Sequence, residues 1–114
     1  MFEIRRYRAV TGSEPFTDWL SALHDRQAKA RILARLERLG VGNFGDCKFL
    51  RDSVREMRVD WGPGYRVYFG REGQTVVVLL CGGDKRKQDA DIRKAVELWQ
   101  EFVDRKRSGP RAKR

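Results

Sequence analysis

One histidine, His24, and two cysteines, Cys47 and Cys81, are the only imidazole and thiol groups in 114 residues. Without a Cys-x-x-Cys pair they supply neither a zinc site nor a disulfide framework. A reduced, cytoplasmic protein is the expectation. Long apolar runs are also missing: the longest is Val76-Val77-Val78-Leu79-Leu80-Cys81, against the roughly 20 residues a membrane-crossing helix needs. The opening Met1-Phe2-Glu3-Ile4-Arg5-Arg6 has no apolar signal segment, so no membrane is expected among the partners. A single histidine with no Ser or Cys elbow gives no nucleophilic triad. No Gly-rich loop leads into a helix through Lys-Ser or Lys-Thr, which removes the P-loop nucleotide enzymes. Gly82-Gly83-Asp84-Lys85 lacks that spacing and reads as a turn at a strand end. Asp89 and Asp91 are flanked by Lys85, Arg86, Lys87, Arg93 and Lys94 and read as helix N-terminal charges rather than metal ligands. No cofactor is expected.

What is abundant is positive charge, 25 Lys plus Arg against 16 Asp plus Glu for a net +9, and that points to a polyanionic partner. The excess is uneven. Residues 104–114 carry +5 and residues 1–103 only +4. The final stretch, with Ser108-Gly109-Pro110 and almost no apolar residue, reads as a disordered arm touching phosphates or as a solvated terminus. The preceding 103 residues suit one domain, with twelve aromatic residues in the chain to help fill a core.

Along that domain the periodicity alternates between that of strands and that of helices. Residues 2–10 mix β-branched and aromatic residues with charges and predict a strand. Ser13 is placed to cap a helix with Glu14 and Pro15 in its first turn, and Phe16, Trp19, Leu20 and Leu23 share one face of it. Ala28, Ile32, Leu36 and Leu39 repeat at helical spacing up to Gly40, with Arg26, Lys29, Arg31, Arg35 and Arg38 around them as a solvated or nucleic-acid-facing surface. Residues 41–52 read as a loop. From Ser53 to Trp61 the period is two, with Met57, Val59 and Trp61 on one face and Glu56, Arg58 and Asp60 on the other. Tyr65 to Arg71 forms a hairpin with it, placing Arg66 and Tyr68 opposite Tyr65, Val67 and Phe69. A tight turn leads into Thr75–Cys81, a strand buried on both faces. Gln88 to Val103 carries a helical stripe of Ile92, Ala95, Val96, Trp99 and Phe102. The class is α+β in the order β-α-α-β-β-β-α.

One sheet face therefore holds Glu56, Arg58, Arg66 and Tyr68 beside a basic turn, Lys85-Arg86-Lys87. A phosphate suits that surface, because arginine offers a planar fork of donors and tyrosine can stack on a base or pass a proton. The alternative is a surface of Arg–Glu pairs, each worth less than about 1 kcal/mol.

The segment Arg55-Glu-Met-Arg-Val-Asp-Trp-Gly-Pro-Gly-Tyr-Arg-Val-Tyr-Phe69, followed by Leu79-Leu-Cys-Gly-Gly-Asp-Lys-Arg-Lys-Gln-Asp-Ala-Asp-Ile-Arg-Lys-Ala95, resembles the RelE/ParE superfamily of type II toxin–antitoxin toxins. The branch it is most similar to is the HigB-like addiction module killer group. The resemblance spans residues 1 to about 103 and implies a small antiparallel-dominated sheet packed by helices. RelE-like members cleave mRNA on the ribosome and ParE-like members poison DNA gyrase. Carried onto this chain, the family pattern implies Arg58, Arg66, Lys85 and Arg86 as catalytic residues; around them, Glu56, Tyr68, Lys87 and Arg55 are expected to contact RNA. Glu56 stands where many RelE-like members have a second basic residue, and no C-terminal aromatic matches theirs. Basic residues at all the matched places favour cleavage: the ribose 2′-hydroxyl attacks the adjacent phosphorus, and Arg58 and Arg66 steady the charge. Arginine, protonated up to a pH above about 12, cannot act as the base, which leaves Lys85, Tyr68 or Glu56. The implied partners are the ribosome with its mRNA and a cognate helix-turn-helix antitoxin. No small-molecule cofactor is implied.

Overall fold

The structure, a computed structural model, describes residues 1–108. Its element order is β1 (Glu3–Arg6), α1 (Pro15–Ala22), α2 (Arg26–Gly40), β2 (Cys47–Arg51), β3 (Val54–Val59), β4 (Tyr65–Glu72), β5 (Val76–Asp84), a 3-10 turn (Lys85–Lys87) and α3 (Gln88–Ser108). The five strands make one mixed sheet in the order β1-β5-β4-β3-β2, with β1 parallel to β5 and every other pair antiparallel. The class is α+β, as the periodicity predicts.

Two cores lie on opposite sides of the sheet. On one, Phe16 and Leu20 of α1 and Ala28, Ile32, Leu36 and Leu39 of α2 pack on Met57, Val59, Tyr65, Val67, Phe69, Val77 and Leu79. On the other, Ala95, Leu98 and Trp99 of α3 pack on Tyr7, Val54, Tyr68, Val78, Leu80 and Cys81. The alternation in β3 and β4 serves both cores at once. In β5 it is broken by an extra residue: Tyr68 pairs with Cys81 and Phe69 with Leu79, so Leu80 is bulged and Leu80 and Cys81 both join the α3 core.

Four expectations need correction. The stretch 41–52 contains β2, an edge strand paired to β3. Its glycines and Asn43 mask it in composition, and it is closed by Asp52 and Ser53 at positive φ. Ser13 does not cap α1; Glu14 occupies the cap position with Pro15 at the first turn, and Thr17 Oγ1 donates to Glu14 Oε1 at 2.7 Å. Gly82 and Gly83 are strand residues, required by close packing: a side chain at Gly82 would run into the Trp19 indole, and one at Gly83 into the Asp91 carboxylate. Lastly, α3 continues past Val103, where Arg105 Nη2 donates to Arg8 O at 2.6 Å and Lys106 Nζ pairs with Glu72 Oε2 at 2.6 Å. The part of the expected arm from 109 to 114 lies outside the described residues.

Helix α2 is capped by Asp25, whose side chain accepts from Gln27 N at 2.9 Å and Ala28 N at 3.1 Å. The other Asp25 oxygen accepts from Trp61 Nε1 at 3.1 Å, and the Arg31 guanidinium stacks 3.9 Å from the Trp61 ring centre. Arg35 points inward, donating to the carbonyls of Arg58 and Phe44. Arg31 thus ties α2 to the loop after β3, and Arg35 ties it to β3 and to the loop before β2, so the basic residues of α2 do not form a purely solvated face.

Candidate functional site

The site is built where β3, β4 and the end of β5 meet the first turn of α3. Arg58 and Arg66 are direct cross-strand partners, as are Glu56 and Tyr68. Side chains opposed in this way are neighbours, and two like charges so placed repel unless an anion lies beside them. Each arginine has one. Arg58 Nη2 pairs with Asp46 Oδ1 at 3.1 Å with both side chains well exposed, a contact worth about 0–1 kcal/mol and easily given up. Arg66 Nε lies 3.8 Å from Glu56 Oε2, with Glu56 0% and Arg66 11% exposed.

Lys85 is brought to the same place by the backbone. Its N–H donates to Gly64 O at 2.9 Å, and Gly64, at φ +85°, has no side chain to separate the neighbours: a β-carbon there would stand 3.7 Å from both Arg66 Nη1 and Lys85 Cβ. The turn itself is capped by Asp84, whose Oδ1 accepts from Arg86 N at 2.9 Å. Asp84 also holds the Arg86 side chain, Nη2 to Oδ2 at 2.8 Å, and this bond keeps its carboxyl below the ordinary value. Arg86 therefore faces solvent, already neutralised. Lys85, Arg86, Lys87, Gln88, Asp89 and Arg93 line an open concavity of about 450 Å³.

The expected site residues separate into three sets. Arg58, Arg66 and Lys85 come together, and Arg86 and Lys87 stand at the rim on the 3-10 turn. Glu56 and Tyr68 reach the same locality but lie beneath it, each 0% exposed, so neither can touch RNA. Burial and then the Glu56 charge push the Tyr68 phenol far up, which removes it as a base near neutral pH. Arg55 is the third case. It is the cross-strand partner of Phe49, on the sheet face away from Glu56, with its guanidinium 5.7 Å from the Phe49 ring centre.

Two residues were missed from sequence. Gln88 Nε2 donates to Glu56 Oε2 at 2.7 Å. Asp91 lies over Gly83, the cross-strand partner of Arg66, with Oδ2 buried and unbonded, and burial pushes its carboxyl up despite Lys87 and Lys94 nearby. Seven and four residues before the buried Ala95, both extend the inward stripe of α3 by one turn. A polar residue on an inward stripe was the available signal.

A family described as "Phage derived protein Gp49-like (DUF891)" matches residues 18–100, a span that takes in both helical layers and every strand except β1. The chain belongs to the Gp49-like family. This family lies within the RelE-like, addiction module killer group of toxins. The chain is also similar to an uncharacterized protein of Haemophilus influenzae, 52% identical over 87 residues that cover 76% of this chain and 88% of that relative. No helix among the described residues is long and apolar enough to cross a membrane.

Proposed function

We propose that this Gp49-like protein is a toxin of the HigB-like branch that cuts mRNA on the ribosome. The observation that carries the reading is the meeting of Arg58, Arg66 and Lys85 where the end of β3, the start of β4 and the end of β5 come together, in a chain of a toxin-type family. Three cationic side chains within reach of one point match a phosphodiester whose charge grows in the transition state. In the reaction the ribose 2′-oxygen bonds to phosphorus, the bond to the 5′-oxygen breaks, and a cyclic 2′,3′-phosphate and a 5′-hydroxyl result. Arg66 meets a non-bridging oxygen through its Nη atoms, since its Nε is buried. Arg58 leaves Asp46 to meet the second. Lys85 Nζ protonates the departing 5′-oxygen while water takes the 2′-hydroxyl proton. Glu56 and Tyr68, both buried, drop out as bases. The ribosome supplies the substrate geometry, so the protein contributes mainly fixed charge.

The partner this reading entails is a helix-turn-helix antitoxin presenting carboxylates, drawn to the +9 chain. The test is primer extension on mRNA from cells induced for the toxin, with the neighbouring gene product co-expressed as the control that restores growth. Cuts within translated codons are expected, and Arg66→Ala is expected to lower cleavage about 10²- to 10³-fold while the protein stays folded. Uncut mRNA accompanied by gyrase-linked DNA breaks overturns cleavage in favour of a gyrase poison.

A further inference from the structure

Glu56 is the one fully buried charged side chain among the described residues. Its Oε2 accepts from Gln88 Nε2 at 2.7 Å and lies 3.8 Å from Arg66 Nε, while Oε1 is buried with no partner. Stability does not account for this carboxylate. Removing an ion from water costs several kcal/mol, and an apolar residue of similar volume is often the more stabilising choice, all the more on a face that already holds Val54, Tyr68 and Leu80. What distinguishes Glu56 is what it joins. Arg66 stands on β4, and Gln88 directly follows the Lys85-Arg86-Lys87 turn, so one carboxylate touches both structures that carry the basic groups.

We propose that Glu56 is a positioning residue that sets the Arg66 guanidinium and the turn before α3 at a fixed separation, holding Arg66 by its Nε edge so that its Nη edge faces an incoming oxyanion. The inference rests on reading the Arg66 surface as a phosphate site. It assigns Glu56 no contact with RNA. Its action is routed through Arg66, which separates it from a residue that merely fills the core.

The variant Glu56→Gln keeps the size and an acceptor for Gln88 but removes the charge. The experiment is a double-mutant cycle with Arg66→Ala, read on single-turnover mRNA cleavage and on pyrophosphate affinity by calorimetry, with urea midpoints recorded alongside. Expected is a folded Glu56→Gln protein with a midpoint at or above that of the parent, cleavage and pyrophosphate affinity each lowered by about 10- to 100-fold, and no added loss in the Arg66→Ala background. Losses that add in that background, or parental cleavage and affinity in Glu56→Gln, overturn the proposal. If the parent protein cuts no mRNA, the cleavage reading fails by itself, and the pyrophosphate arm of the cycle still decides the role of Glu56. Should Glu56→Gln fail to fold, Gln88→Ala at the partly exposed start of α3 is the second variant. A weakened pyrophosphate affinity that vanishes with Arg66→Ala supports the proposal, and an unchanged affinity overturns it.

Discussion

The two sides of this sheet are built to different ends. The fully buried side chains under α1 and α2 are all hydrophobic, and the polar groups on that side, such as Asp25 with Trp61, Arg35 and Arg71 over Phe2, belong to exposed or partly buried residues. The side under α3 changes character along its length. Near Trp99 it is as apolar as the first, but toward the start of α3 it holds Glu56, Arg66, Tyr68 and Asp91, each with a buried polar atom that lacks a hydrogen-bond partner. Such atoms cost about 1–3 kcal/mol apiece when left unpaired. A small domain has only about 5–15 kcal/mol of net stability to set against such costs. Arg71 and Arg105 each bury an unpartnered Nε away from the site, but four such side chains stand together only at the start of α3, and the hydrophobic core on the other face lets the molecule carry this polar site without losing the fold.

The sharpest way to break this contrast is to weaken the apolar side. Phe16 is 0% exposed, and Phe16→Ala is expected to cost about 3–5 kcal/mol, visible as a large drop in the urea midpoint. A cost below about 1 kcal/mol would mean that α1 is not part of the main core. The adjacent glycines of β5 compare the sides within two residues, since Gly82 faces the Trp19 indole and Gly83 the Asp91 carboxylate. Gly82→Ala meets a packed ring and is expected to destabilise by about 1–3 kcal/mol. Gly83→Ala meets a side chain that can swing toward solvent, so its cost to stability is expected to be the smaller one, with the larger effect falling on the site. Equal midpoints for the two variants would contradict the difference between the faces.

The smallest effect is a pH dependence. Burial raises the Asp91 carboxyl above its ordinary value, so the fold prefers the neutral form. That contribution is fully present below the unfolded-state value and is lost as pH rises through the folded-state one. Asp91→Asn, which stays neutral, is therefore expected to melt above the parent at pH 7, with the gap closing as pH falls into the ordinary carboxylate range. A gap that widens in acid would mean that Lys87 and Lys94 outweigh burial at this position.

The sequence by itself determined the layers. The two-residue period at Glu56, Met57, Arg58 and Val59, and the helical stripes at Phe16, Trp19 and Leu20 and at Ala95 and Trp99, specify which residues share a face, because that follows from local backbone geometry alone. Alternation likewise puts Arg58 on the face of Glu56, and Arg66 on the face of Tyr68, but that Arg58 stands opposite Arg66 and Lys85 beside Gly64 follows from strand pairing. Depth was not legible either. Alternation puts Glu56 and Tyr68 on the face of Arg66 but is silent on whether that face is open, and what closes it is a helix whose Gln88 lies 32 residues beyond Glu56. The bulge at Leu80 was hidden too, inside a continuous apolar run that has no alternation to break. That extra residue turns Gly83 rather than Gly82 toward α3, so the space that Asp91 fills exists only once β5 is paired with β4. Pairing and covering are contacts between distant segments, and only the tertiary structure decides them.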